Sequence, residues 1–122
     1  MPSAFVDLTN QELIDKFSEL AKKMGIHVLE CDTAKANRIF DQMEEIDRIL
    51  RDRGSIARFL LLPLLDDRDR FVRYYAAQYL LGLAPERARA VIEWNKKYGF
   101  DAIAGDAGML LRSLDSGKYK PD

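Results

Sequence analysis

The stretch from Leu60 to Leu80 constrains the fold most strongly, because it has the pattern of a helical hairpin. An apolar run ends at Leu65, and a turn-forming acidic run follows at residues 66–69. A second segment then carries Val72 and several small or apolar residues at helical spacing. The two apolar faces, with the acidic turn between them, predict one hairpin repeat of two helices.

Apolar side chains at helical spacing along the rest of the chain predict about six helices and an all-α fold. The predicted helices span residues 10–31, 33–53, 55–65, 69–83, 85–98 and 102–114. The chain has no alternating pattern typical of β-strands. The first helix contains Gly25 but keeps its apolar phase, so we predict one continuous helix, with a break at the glycine as the alternative. Pro63 is expected to kink the third helix or end it early.

Side chains suited to helix starts mark several of these boundaries. Thr9 and Glu12 form a capping-box pattern at the start of the first helix. Asp32 or Thr33 is expected to cap the second helix, and Asp69 is expected to cap the fourth.

Length and composition predict the class of protein. The 122 residues favour a single domain over residues 1–122, with a polar tail at residues 118–122. Hydrophobic residues make up 48% of the chain and charged residues 32%, which suits a folded, soluble protein. Cys31 is the single cysteine, so no internal disulfide can form and a reducing, cytoplasmic location is expected. The longest apolar run, at residues 59–65, is too short to span a bilayer, and we expect no signal peptide.

The charge balance argues against a nucleic-acid partner. The chain has 19 Lys and Arg residues against 20 Asp and Glu residues, and the two signs are interleaved along it. Proteins that bind DNA or RNA usually show a basic excess or a basic stripe. A protein partner is therefore the expectation that remains, although the sequence gives neither its identity nor the oligomeric state.

The turn and the start of the fourth helix resemble a HEAT-type repeat. In such repeats an aspartate lies in the turn, and Val followed by Arg or Lys opens the second helix. Asp67, Val72 and Arg73 are in these places here, and Ala76 is one of the small inner residues that follow. The resemblance implies a short, incomplete solenoid of helical hairpins that presents a binding surface. It also implies that Val72 packs between the helices, while Asp67 and Arg73 either pair or bind backbone groups near the turn.

A wider resemblance covers about residues 8–114. The matching segments, in order, are residues 36–41, 60–65, 72–73, 76–77 and 84–88. Together they are similar to a family of small bacterial proteins described only as a domain of unknown function with a HEAT-like helical fold. Some small helical families of this kind lie beside toxin genes, so the resemblance implies a toxin-neutralising immunity protein. The end departs from the family, because Leu114 and Asp115 stand where a tryptophan is expected.

His27 and Cys31 are the first candidates for chemistry, since a spacing of four could place both on one helix face. Zinc needs about four ligands, and the chain has no other His or Cys. We therefore expect a partly buried pair that belongs to the first helix. We predict no metal, no cofactor and no enzyme activity.

The second helix carries an acidic run at Asp41, Glu44, Glu45 and Asp47. A solvated face is the favoured interpretation. The functional alternative is an acidic patch for a basic partner, in which Asp41 and Glu45 share a face and steer association.

Tyr74, Tyr75 and Gln78 on the fourth helix are the predicted partner-binding residues. The inward stripe already uses Val72, Ala76 and Leu80, so these three side chains are expected to face outward or line a groove. Tyrosine is enriched at interface hot spots, and ordinary packing against neighbouring helices is the alternative. On the fifth helix Trp94 or Asn95 should face inward, and Trp94 is expected in the core.

The leading functional prediction is a non-catalytic protein-binding module, in its most concrete form a toxin-neutralising immunity protein. Two alternatives stay open. One is a regulatory or structural subunit of an enzyme complex, and the other is a HEAT-like nucleic-acid-binding protein.

Overall fold

The computed structural model describes residues 4–99 and 101–122, which form six α-helices and no β-strand. The helices are α1 (Asn10–Leu29), α2 (Thr33–Arg53), α3 (Ser55–Phe59), α4 (Arg70–Leu80), α5 (Pro85–Tyr98) and α6 (Ala102–Asp115), and a 3₁₀ segment spans Leu62–Asp66. The predicted all-α class and the number of helices are confirmed for this part of the chain. None of the helices described is both long and apolar enough to cross a membrane.

α1 begins at the predicted capping box and runs unbroken through Gly25. The Thr9 hydroxyl accepts from the Glu12 amide at 3.1 Å, and the Glu12 carboxylate accepts from the Thr9 amide at 2.9 Å. Gly25 is buried because the ring of Phe71, on α4, lies against it. A Cβ atom at position 25 would come within 2.1 Å of that ring. The glycine therefore lowers helix propensity but permits α1 and α4 to approach closely.

A short turn joins α1 to α2, and the two helices pack against each other. Cys31 adopts a left-handed conformation with φ of 57°, which reverses the chain direction. The carboxylate of Asp32 then accepts from the amide of Lys35 at 3.1 Å, so Asp32 is the cap of α2. Gly54, with φ of 111°, ends α2 as the sequence predicts.

The third predicted helix is divided in two. α3 ends at Phe59, and the chain continues as the 3₁₀ segment that contains Pro63. Proline lacks an amide hydrogen and disfavours the α conformation of the residue before it, so the early stop follows from local chemistry. Leu61 and Leu65 are nevertheless buried and anchor this segment in the core.

α4 is the most enclosed helix, with α1, α5 and the 3₁₀ segment packed around it. Val72 and Ala76 are fully buried, as predicted. Tyr74 and Tyr75 do not face outward, because their exposed fractions are 0% and 6%, and the structure has the alternative in which they pack against neighbouring helices. A helix with neighbours on several sides buries more than one narrow stripe, so counting a single apolar face underestimates its core. Gln78 is half-buried.

The acidic turn before α4 is held by bonds to the backbone. The guanidinium group of Arg73 donates to the carbonyl oxygens of Asp67, at 2.7 Å, and Arg68, at 3.1 Å. The Asp67 carboxylate accepts from the amide of Asp69 at 2.9 Å. Of the two expected arrangements, the structure has the one in which Asp67 and Arg73 bind backbone groups. Asp69 caps α4 by accepting from the Phe71 amide at 2.8 Å.

α5 and α6 complete the core and pack against each other. Asn95 is fully buried and its side-chain amide donates to the carbonyl of Val91 at 3.0 Å. Trp94 is 43% exposed, so the expectation that it lies in the core is wrong. Its ring lies 5.2 Å from the guanidinium of Arg73, and this contact holds it against the outer surface.

Candidate binding groove

Three adjoining cavities form one groove between α2 and α6, above α4. Their volumes are about 330, 350 and 170 Å³. Gln78 lines all three cavities, Phe40 and Asp106 line the first two, and Glu44 and Tyr119 line the last two. Because neighbouring cavities share their walls, we treat them as one continuous surface, named here the α2–α6 groove.

Tyrosines of α4 connect the floor of the groove to acidic side chains on its two sides. The Tyr79 hydroxyl donates to Glu44 Oε1, on α2, at 2.7 Å. The Tyr74 hydroxyl donates to Asp106 Oδ2, on α6. Burial, together with these carboxylates, raises the pKa of both tyrosines far above the usual value. Both phenols therefore stay protonated and act as fixed donors.

Apolar side chains stand exposed beside these carboxylates. Phe40, on α2, is 43% exposed, and Met109, on α6, is 62% exposed. Both line the middle cavity. Exposed aromatic and methionine side chains next to polar groups are typical of surfaces that bind proteins.

The groove is predominantly acidic. Glu44, Asp47 and Asp106 line it, and Arg51 is the one basic side chain among its described lining residues. The guanidinium of Arg51 is already paired: its Nε donates to Asp47 Oδ2 at 2.7 Å, and its Nη1 lies 2.9 Å from Asp122 Oδ1. The positive charge of Arg51 is thus matched inside the molecule, and the other carboxylates set the potential of the groove.

Asp47 is the most buried of these acids, with an exposed fraction of 5%. Its Oδ2 binds Arg51, whereas its Oδ1 has no hydrogen-bond partner within residues 4–99 and 101–122. Burial raises the pKa of Asp47, and this effect outweighs the opposing one of Arg51. A buried carboxylate oxygen without a donor is unusual, because buried polar atoms are generally hydrogen-bonded.

The segment after α6 packs back over the end of α4 and closes one end of the groove. The buried Arg58 donates to the backbone oxygen of Asp122 at 3.0 Å and to the carbonyl oxygen of Tyr79 at 3.4 Å. At Gly82 a Cβ atom would lie 2.2 Å from the Asp122 backbone. The predicted polar tail is therefore attached to the core, and it places Tyr119 in the wall of the groove.

The predicted partner-binding residues take different places relative to this groove. Tyr75 and Gln78 line it, and Tyr74 lies beneath it as the donor to Asp106. Asp41 and Glu45 do not line its described part; Asp41 is exposed and Glu45 half-buried on α2.

Sequence reasoning included Glu44 and Asp47 in the acidic run but chose Asp41 and Glu45 as its binding face, so it missed the face of α2 that lines the groove. Phe40, Glu44, Asp47 and Arg51 follow one another at intervals of four, three and four residues, so they share one face of α2. That periodicity was the signal in the sequence from which this face could have been predicted. No such signal existed for Asp106, because nothing in the local sequence predicts its contact with Tyr74.

The candidate pair of His27 and Cys31 does not form a site. His27 Nδ1 lies 3.4 Å from Glu30 Oε1, and Cys31 is exposed beyond the end of α1. The left-handed turn at Cys31 removes it from the helix face that His27 occupies. Within the described ranges, no group of three or more His, Cys, Asp or Glu residues could hold a metal ion.

The fold and groove define a small all-helical protein with an acidic, partly apolar cleft. The chain belongs to the family described as a domain of unknown function (DUF2019), whose sequence model matches residues 11–115. It is also similar to the protein RPA1889 from Rhodopseudomonas palustris CGA009. That crystal structure superposes with a TM-score of 0.90 at 32% identity, over 99% of this chain and 100% of the other. A comparison with curated proteins finds no match.

Proposed function

We propose that the protein is a non-catalytic protein-binding module whose α2–α6 groove receives a basic segment of a partner protein. The observation that supports this proposal is that Glu44, Asp47 and Asp106 lie beside exposed apolar side chains in one cleft. Arg51, the one base among the described lining residues, is already paired. A segment that carries Lys or Arg beside apolar residues would match both the charge and the apolar rim.

The arrangement of the helices supports a finer proposal about architecture. Successive pairs pack together, α1 with α2, α4 with α5 and α5 with α6. Such nearest-neighbour stacking is what a short HEAT-like solenoid would have. In this proposal the turn residues Asp67 and Arg73 fix the geometry between hairpins, and the groove is the inner binding surface.

The most concrete form of the proposal is an immunity protein that neutralises a toxin in the cytoplasm. The acidic groove favours this form when the toxin domain is basic, because opposite charges accelerate association and tight complexes depend on a few buried contacts. A regulatory or structural subunit of an enzyme complex would use the same groove. A nucleic-acid partner is disfavoured, since Glu44 and Asp106 would repel phosphate groups.

The first test is selection from a dodecapeptide display library on the immobilised protein. Selected peptides should be enriched in Lys and Arg, with at least one apolar residue nearby. Acidic or uncharged selected peptides would contradict the proposal. The affinity of each selected peptide is then measured by fluorescence polarisation.

Matched variants then locate the surface. Glu44→Gln with Asp106→Asn removes two groove charges, whereas Asp41→Asn with Glu45→Gln removes two charges of α2 that do not line the groove. The groove variant should weaken binding about tenfold or more, a range usual for removing charges at the centre of an interface. Equal weakening by both variants would mean that α2 attracts the peptide non-specifically.

A genetic test addresses the toxin-neutralising form. The protein is expressed together with the products of its neighbouring genes, one at a time, in a host that a toxin would arrest. Rescue of growth by the wild type but not by the groove variant is the expected result. If no neighbouring product arrests growth, the immunity form of the proposal is wrong and the subunit form becomes the better one.

A further inference from the structure

The smallest of the three cavities, named here the inner chamber, has features that the rest of the groove lacks. Its volume is about 170 Å³, and its lining residues are Glu44, Asp47, Arg51, Gln78, Tyr79 and Tyr119. Sites for whole small molecules usually measure about 300–1,000 Å³, so this chamber suits one side-chain head group.

We propose that the inner chamber binds a guanidinium group, so that one arginine of the partner segment anchors it in the α2–α6 groove. This inference rests on the proposed function and names the chemistry of its central contact. Three independent observations support it: an unused buried acceptor, an unmatched charge and an aromatic wall.

The unused acceptor is Oδ1 of Asp47. The side chain of Asp47 is more than nine-tenths buried and lines the chamber, yet this oxygen has no donor within the described residues. The other oxygen binds Arg51. A carboxylate can accept two guanidinium groups, one at each oxygen. Asp47 Oδ1 is closed to solvent in the unbound chain, so an incoming arginine completes the hydrogen bonding of Asp47, with Arg51 kept in place, once a lining side chain shifts to admit it.

The charges around the chamber do not balance. The carboxylates of Glu44 and Asp47 line it, and that of Asp122 pairs with Arg51 at 2.9 Å. The guanidinium groups beside them belong to Arg51 and Arg58. Arg58 binds the backbone oxygens of Asp122 and Tyr79. Among the described lining residues, two carboxylates therefore face the single guanidinium of Arg51, which leaves room for one further cation. A ligand with a single positive charge therefore fits the chamber electrostatically.

The walls favour a planar cation over a compact one. Tyr79 and Tyr119 both line the chamber, and the hydroxyl of Tyr79 already donates a hydrogen bond to Glu44. A guanidinium group stacks on aromatic rings and offers five donors in a plane, whereas an ammonium group is a strongly hydrated point charge with three. Glu44, Asp47 and Gln78 all line the chamber, and their side-chain oxygens supply enough acceptors for these donors.

The test uses three small probes: N-acetyl-arginine methylamide, its lysine counterpart and its neutral citrulline counterpart. Each is titrated into the full chain, and binding is followed by NMR through the Gln78 side-chain amide and the Asp47 carboxyl carbon. The arginine probe should bind about tenfold or more tightly than the citrulline probe, because citrulline keeps the shape but loses the charge. It should also lower the pKa of Asp47, which is the direction that a bound cation imposes.

Two variants inside the chamber and one outside it keep the inference falsifiable. Asp47→Asn should abolish binding of the arginine probe. Because this change could also disturb Arg51, Glu44→Gln serves as a second variant and should weaken the probe several-fold. Asp106 lines the groove outside the chamber. Asp106→Asn should therefore leave the affinity for the arginine probe unchanged and lower the affinity for the selected dodecapeptides.

The possible results separate this inference from the proposed function. Equal binding of the lysine and arginine probes would overturn the guanidinium assignment. If the arginine probe leaves Asp47 and Gln78 unperturbed while basic dodecapeptides still bind, the inference is wrong and the proposed function stands. If basic dodecapeptides also fail to bind, both are wrong.

Discussion

At the residue scale, hydrogen bonds between tyrosines of α4 and carboxylates determine where the groove charges lie. Tyr79 holds Glu44 on one side and Tyr74 holds Asp106 on the other. Each phenol donates to an acid on a neighbouring helix, so the same bond stabilises the packing of that helix and orients a charge of the groove. Stability and binding therefore depend on the same atoms at these two positions.

Removing one phenolic hydroxyl should reveal this coupling. We expect Tyr79→Phe to lower the free energy of unfolding by about 1.5–3 kcal/mol, because a hydrogen bond to a charged group is lost. Tyr75→Phe is the matched control, since the Tyr75 hydroxyl makes no hydrogen bond within the described residues, and its effect should be much smaller. Urea unfolding curves measure both. Equal losses for the two variants would mean that ring packing, and not the hydroxyl bond, carries the stability.

The raised tyrosine pKa values predict alkaline unfolding. Burial raises the pKa of Tyr74, Tyr75 and Tyr79 above the ordinary value. A raised pKa means that the folded state holds the phenolic proton more tightly, so this stabilisation is complete below about pH 10 and is lost as the pH rises further. Phenolate absorbance of these three residues should therefore appear together with the loss of helical circular dichroism. Full phenolate absorbance in a still helical protein would contradict this.

At the scale of the element, the neighbours of a helix decide how much of its surface is buried. α5 is accurately predicted over Pro85–Tyr98 because Pro85 favours a helix start and Gly99 favours a helix end. α4 was predicted to have one inward face, yet Tyr74 and Tyr75 are buried by helices that are distant in sequence. The local sequence predicts the caps and the periodicity of a helix, but it does not predict how many other helices will pack against it.

Two glycines test how closely helices approach. Gly25→Ala should destabilise the protein by about 1–3 kcal/mol, because the added Cβ overlaps the ring of Phe71. Gly105→Ala, in α6, is the control: nothing lies within 4 Å of its Cβ position, so it should stabilise α6 by up to about 1 kcal/mol. Thermal unfolding distinguishes the two. If Gly25→Ala were also stabilising, Phe71 would have to repack without cost.

At the scale of the whole molecule, the groove combines α2, α4, α6 and the tail, so no single segment contains it. Sequence patterns located the acidic run of α2 and the importance of α4, but they could not show that Asp106 and Tyr119 come to the same cleft. Those contacts join residues far apart in the chain. The helices were predictable because their signals are local, whereas the site depends on tertiary packing.

The charge of the groove should control the rate of association with a basic peptide. Raising the salt concentration from about 0.05 M to about 0.5 M shortens the Debye length and should slow association markedly while changing dissociation little. Asp41→Asn with Glu45→Gln should reduce the same rate modestly if these acids outside the groove steer the ligand. Stopped-flow measurements separate the two rates. An association rate that is independent of salt would contradict an electrostatic role for the groove.

The contact between Gly82 and the backbone of Asp122 makes it possible to shift residues 116–122 by a substitution outside the groove. Gly82→Ala places a carbon where the tail now lies, so the tail must shift while every groove side chain stays unaltered in sequence. Hydrogen exchange of residues 116–122 should then accelerate, and the affinity for the arginine probe should change because Tyr119 moves. A substitution at Gly82, which lies outside the groove, should therefore change the width of the groove while its lining side chains keep their identity.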